Sequence, residues 1–219
     1  MLKRWLVAIA ALVIAGAAAS SAFGQSRPPA LGKDYLELSP PQRTETGAKN
    51  EVIEFFWYRC PHCYRLQPYL ETWVKKLPQD TQFRLIPAAL SDEWAVDARI
   101  FFALESLGLL ERLHRPLFDV IHTQGGAKLN GTAYAKWVAG WLAKQGIDMA
   151  KYEAALHSST MDSKIKRAYQ TAQAYKVDGV PAIAINGRYV VSATMVGDGP
   201  VVIDIADQLL TVARGLTTR

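Results

Sequence analysis

The stretch Glu51–Tyr58, EVIEFFWY, narrows the fold more than any other part of the chain. It is nearly continuously apolar and rich in β-branched and aromatic residues. That is the pattern of a strand covered on both faces, as in a parallel or mixed central sheet. Pro61 suits a first helical position, and Leu66, Tyr69, Leu70, Trp73 and Leu77 recur at helical spacing. A helix is therefore expected from Pro61 to Leu77, kinked at Pro68. The turn Leu77-Pro78-Gln79-Asp80 leads to a second strand, Gln82 to Pro87.

The rest alternates less. Arg27 to Asn50 mixes Pro, Gly and polar residues around Tyr35-Leu36-Glu37-Leu38 and reads as an extended arm. From Leu90 to Tyr175 the period is helical throughout, with helices expected at Trp94–Leu107, at Pro116–His122 and around Tyr134, Trp137, Val138, Trp141 and Leu142. The tryptophans of that stripe suit core packing between helices better than a ligand pocket. Asp148 and Thr160 are candidate N-caps of two more helices ending near His157 and Tyr175. Ala182–Ile185, Asn186-Gly187 and Arg188–Ser192 form a hairpin signature with a type I′ turn. Pro200 opens a last helix. Strand, helix, strand, helical block, hairpin and helix make an α/β sandwich with helices inserted in its middle.

Half of the 219 residues are hydrophobic, enough for a packed core and far too many for a disordered chain. Two cysteines exclude a disulfide-stapled miniprotein. The net charge of +5 is scattered, and its densest spots, Lys75-Lys76 and Lys164-Ile165-Lys166-Arg167, lack interleaved aromatics. They read as solvated helix faces, not as a nucleic-acid surface. At the N-terminus, Lys3 and Arg4 precede an uncharged run from Trp5 to Ala19, and Ala22-Phe23-Gly24 fits a small-x-small cleavage site. Residues 1–24 are thus expected to be a cleaved secretory signal, the run being short of the roughly 20 residues of a membrane span. Export to the periplasm would make a disulfide stable.

Cys60-Pro61-His62-Cys63 joins the first strand to its helix, a place where Cys-x-x-Cys is a redox motif. Unpaired N–H groups and the helix dipole favour a thiolate on Cys60. A lowered pKa makes that sulfur both a nucleophile and a good leaving group. His62 can add positive charge or a hydrogen bond, and Cys63 should face inward as the resolving thiol. A structural zinc site lacks further cysteines. An inert disulfide over so short a loop would gain little entropy. His114, His122 and His157 fall on expected helices without carboxylate or cysteine neighbours and read as surface or capping residues.

Phe55-Phe56-x-x-x-Cys60-Pro61-His62-Cys63-Tyr64 and Gly179-Val180-Pro181-Ala182, followed by Asn186-Gly187-x-Tyr189, resemble the DsbA family of bacterial periplasmic disulfide oxidases. The long helical stretch between Cys63 and Pro181 matches the insertion of that family, and Pro68 resembles the helix-kinking proline of thioredoxins. The resemblance implies a thioredoxin-like fold, a central mixed sheet flanked by helices, with an inserted all-helical domain. Its parts would be residues 25–89, the insertion 90–158, and residues 159–219.

It further implies a catalytic set of Cys60, Pro61, His62, Cys63 and Glu54, with Val180 offering its backbone to a client and Pro181 a cis-proline facing the cysteines. Read from its residues alone, Pro181 is a trans strand-entry proline. Glu54, a carboxylate inside an apolar strand, either turns to solvent or, as the family pattern suggests, lies beneath the cysteines to exchange the Cys63 proton. Family members often pair this acid with a lysine on the next strand. Leu85 takes that place here, so the partner is missing or has moved to Arg84. The implied activity is oxidation of thiols in exported proteins by the Cys60–Cys63 disulfide, without a dissociable cofactor. The protein would be a monomer reoxidised by a DsbB-like membrane oxidase. A disulfide isomerase or reductase is the nearest alternative, although Gln25–Asn50 is short for an isomerase's dimerisation domain. A peptide-binding chaperone would need neither cysteine.

Overall fold

The computed structural model describes residues 27–217, so the expected signal segment lies outside the described residues. Five strands, β1 (Leu36–Glu37), β2 (Asn50–Phe56), β3 (Thr81–Pro87), β4 (Ala182–Ile185) and β5 (Tyr189–Ser192), form one sheet in the order β1-β5-β4-β2-β3. Only β2 and β3 run parallel; the other pairs are antiparallel. β2 lies between β3 and β4 with all of its residues buried, which is what its unbroken apolar run requires.

Helix α1 (Pro61–Val74) starts directly from the loop after β2. Its Leu66, Leu70 and Trp73 pack with the last helix, α8 (Pro200–Thr217), against Val52 and Ile183 of the sheet. Trp73 Nε1 donates to Asp207 of α8 at 2.7 Å. Helices α2 (Asp92–Ser106), α3 (Leu110–Thr123), α4 (Gly131–Lys144), α5 (Met149–Leu156) and α6 (Met161–Ala174) form the block between β3 and β4. Their apolar faces share a second core with Ile53, Phe55 and Ala184. Trp137 and Trp141 are half-buried against that core. Asn186 and Gly187 both have positive φ, 48° and 66°, as a type I′ turn demands. A Cβ on Gly187 would stand 2.0 Å from the Gln42 carbonyl oxygen, so the arm can cross here only over glycine.

Three expectations are corrected, and a short helix is added. α3 begins at Leu110 and carries Pro116 inside it, because burial of Leu113, Leu117, Phe118 and Ile121 outweighs the roughly 3 kcal/mol cost of an interior proline. Thr160 makes no side-chain cap; its backbone is already helical at φ −93° and ψ −9°. α1 ends at Val74, with residues 75–77 in a tighter turn whose N–H groups reach back to Glu71, Trp73 and Val74. A further four-residue helix, α7 (Ala193–Val196), is too short to show a period.

Candidate active site

Cys60 is the N-cap of α1, and its extended backbone (φ −73°, ψ 117°) turns its sulfur over the first helical turn. The Cys63 N–H donates to Cys60 Sγ at 3.4 Å, and the Cys60 thiol donates to the Val180 carbonyl oxygen at 3.3 Å. Both cysteines are free thiols here, Cys60 5% exposed and Cys63 fully buried. The Val180–Pro181 peptide is cis, the geometry that the resemblance, not the isolated residues, implied.

The two thiols are driven apart. A hydrogen bond from the Cys63 side chain, the N–H groups of Cys63 and His62, and the charge of His62 outweigh burial and bring Cys60 to about 7. Burial first, then the Cys60 sulfur and Glu54, push Cys63 well above the ordinary thiol range. Iodoacetamide should therefore alkylate Cys60 with a midpoint near pH 7 while Cys63 stays unlabelled. Equal labelling of both thiols at that pH would overturn this assignment.

Glu54 does not turn to solvent. It is fully buried, Gln67 Nε2 donates to its Oε1 at 3.1 Å, and its Oε2 has no hydrogen-bond partner among the described residues. Burial raises its carboxyl to about 8. Leu85 is its register partner on β3, and Arg84 serves others: it reaches Glu51 at 2.8 Å and Glu45 at 2.7 Å. The charge partner of Glu54 has thus not moved to Arg84.

His62 is half exposed and meets Asp198, which also binds Arg65. Asp198 stands between Gly197 and Gly199, whose φ values of 84° and 83° bend the loop back onto the motif. No local pattern ties it to His62, 136 positions away.

The larger omission is Arg59. Its side chain is 1% exposed, as is that of Asp97. Its Nε donates to Asp97 at 3.0 Å, its Nη1 to Glu93 Oε1 and the Leu129 carbonyl at 2.9 Å each, and its Nη2 to the Glu93 carbonyl at 3.0 Å. The guanidinium lies 5.0 Å from the Trp57 ring centre and 4.5 Å from that of Tyr134. Asp97 also accepts from Trp57 Nε1 at 2.7 Å and Tyr134 OH at 2.6 Å. The residue preceding Cys60 is thereby tied to α2 and to the start of α4.

The histidines are corrected as well. His114 is no surface residue: its ring is packed among Phe56, Tyr58, Phe101 and Phe118, with Nδ1 2.8 Å from Tyr58 OH. Burial pushes its imidazole down to about 3. His122 stacks on Tyr64 with ring centres 4.5 Å apart, and its Nε2 meets the Tyr58 carbonyl at 2.8 Å. His157 is an exposed cap at the end of α5, as expected, and only its lack of a carboxylate neighbour is corrected, since Glu153 lies at 3.7 Å.

A thioredoxin-like sheet, an N-cap cysteine of lowered pKa and a buried partner thiol define a thiol:disulfide oxidoreductase. Residues 51–201 match the DSBA-like thioredoxin domain. The chain is 36% identical to the thiol:disulfide interchange protein DsbA of Burkholderia cepacia, over 81% of this chain and 82% of that one. It is 36% identical to the DsbA of Pseudomonas aeruginosa, over 84% and 85% of the two chains. The crystal structure of Pseudomonas aeruginosa DsbA superposes with a TM-score of 0.79 at 34% identity, covering 87% of this chain and 97% of that one. The chain belongs to the DsbA family.

Proposed function

We propose that this protein is a dithiol oxidase that introduces disulfide bonds into exported proteins in the bacterial periplasm. The observation that carries the reading is the inequality of the two cysteines, Cys60 held near 7 and Cys63 far higher. A client thiolate attacks Cys60 Sγ of the oxidised protein, the Cys60–Cys63 bond breaks, and Cys63 leaves and takes a proton from Glu54. A second client thiolate then attacks the client sulfur of the mixed disulfide and expels Cys60 as its stabilised thiolate. The client gains one disulfide, and the protein ends as the dithiol.

In this reading Val180 pairs with an extended client segment beside Cys60. Pro181 supplies no N–H that would compete for the active-site sulfurs. His62, held by Asp198, supports the Cys60 thiolate, and Pro61 opens the helix without wasting a donor. The cysteine pair carries the electrons without a dissociable cofactor. The protein acts as a monomer, and a DsbB-like membrane oxidase renews the disulfide. Periplasmic location is supported by the basic, then apolar, N-terminal residues.

Equilibration with glutathione redox buffers tests the direction of transfer. A reduction potential above about −180 mV is expected, together with stoichiometric oxidation of a reduced, unfolded test protein. A potential near the roughly −270 mV of thioredoxin would replace this reading with that of a reductase.

A further inference from the structure

Glu54 has an unusual setting for a proton-exchanging acid: among the described residues no cation pairs with it, and a single neutral side chain hydrogen-bonds to it. Gln67 and Cys63 are four residues apart on α1 and share one helix face, which looks onto Glu54. Gln67 is 2% exposed, so its amide cannot trade Glu54 for water. The neighbours of Glu54 on the adjoining strands, Leu85 of β3 and Ile183 of β4, are apolar.

We propose that Gln67 is a positioning residue for thiol:disulfide exchange: by donating its amide N–H to Oε1 it holds that oxygen as the acceptor and leaves Oε2 as the atom that takes and returns the Cys63 proton. The proposal rests on the reading of Glu54 given above and deepens it. Resolution of a mixed disulfide shows the step. The Cys63 S–H bond breaks, its proton goes to Glu54 Oε2, and the Cys63 sulfur attacks Cys60 Sγ. The Cys60–Cys63 bond forms as the outgoing thiolate leaves.

Charged and titratable groups around Glu54 are few. Cys60 at the cap of α1 and Glu71 within it act on its carboxyl, and the carboxyl acts in turn on Cys63 and on Tyr58 of the loop after β2. On α3, Arg115 is engaged with Glu71 at 3.2 Å and with Asp119 at 3.0 Å, while His114 is held neutral by burial. Against this background the amide of Gln67 is, among the described residues, the one contact that favours the ionised carboxylate, since its hydrogen bond lowers what burial raises.

The test is single-turnover closure of the Cys60–glutathione mixed disulfide, formed with oxidised glutathione and followed by release of reduced glutathione from pH 5 to 9. In the parent protein the rate should rise with a midpoint set by the coupled Glu54–Cys63 pair. Gln67→Met removes the donor and should move that midpoint up by about one pH unit, a tenfold slower closure at pH 7. Gln67→Glu places a second carboxyl against Glu54, and a shared proton stabilises the monoanion, so its midpoint should move down. Shifts in opposite directions are not what a purely structural contact produces. Midpoints unchanged in both variants would overturn the role of Gln67. Glu54→Gln should abolish the limb; if it persists, the role of Glu54 itself fails, and the proposal with it.

Discussion

Asp97→Ala is expected to cost about 3–5 kcal/mol of stability at neutral pH, the penalty for leaving a buried charge without its partner. The substitution strips Arg59 of its one fully buried counter-charge, since Glu93, the other, is 48% exposed. Trp57 Nε1 and Tyr134 OH lose their acceptor in the same stroke. Urea unfolding at pH 7 should show the loss as a lower midpoint with an unchanged slope. Pairing Asp97→Leu with Arg59→Met should return a large part of it, because two apolar side chains leave no charge to solvate. A double variant as unstable as Asp97→Ala would mean that the pair matters for its shape and not for its charges.

Glu54→Gln should act in the opposite sense and stabilise the protein by about 3 kcal/mol at pH 7. The sign follows from the raised carboxyl. Glu54 titrates near 8 in the fold and near 4.5 as an ordinary carboxyl. Below 4.5 it is neutral folded and unfolded, and no penalty exists. Between 4.5 and 8 the unfolded chain ionises and the folded one does not, so folding stability falls as pH rises. The gain from Glu54→Gln should therefore be absent at pH 4, grow through pH 7, and level off above pH 8. A gain that does not change with pH would show that Glu54 is not the titrating group. Under the role proposed for Glu54, stability and proton exchange oppose each other at this position, the common trade at functional sites.

What the sequence disclosed was local. The β2 strand, the start of α1 and the hairpin turn announce themselves through apolar runs, Pro61 and Asn186-Gly187, each readable within a few residues. Cys60 and Cys63 are equally plain, since their spacing and their place after a strand suffice. The network that anchors their loop is not. Arg59 finds Asp97, Leu129 and Tyr134 only after the helical block has folded back over the end of β2, and a single arginine beside a cysteine gives no sign of that. His114 looked exposed because a histidine among polar helix residues ordinarily is. Its burial comes from Phe56, Tyr58 and Phe101, which reach it from other elements. The position of Glu54 was readable, but its company was not: Gln67 becomes its partner through the packing of α1 on the sheet.

The sheet order has a bearing on aggregation. Under the proposed function the protein spends its time among unfolded chains, the species most ready to add a strand to any open sheet edge. One edge of this sheet is β1, only two residues long. The other, β3, carries Arg84 bridged to Glu45 of the arm, and it ends in Pro87, which has no N–H to offer. Neither edge invites lasting β-pairing, so under the proposed function a client would be engaged through one sulfur and a short stretch of backbone and released once its own disulfide closes. A helper of folding chains built this way does not become a seed for their aggregates.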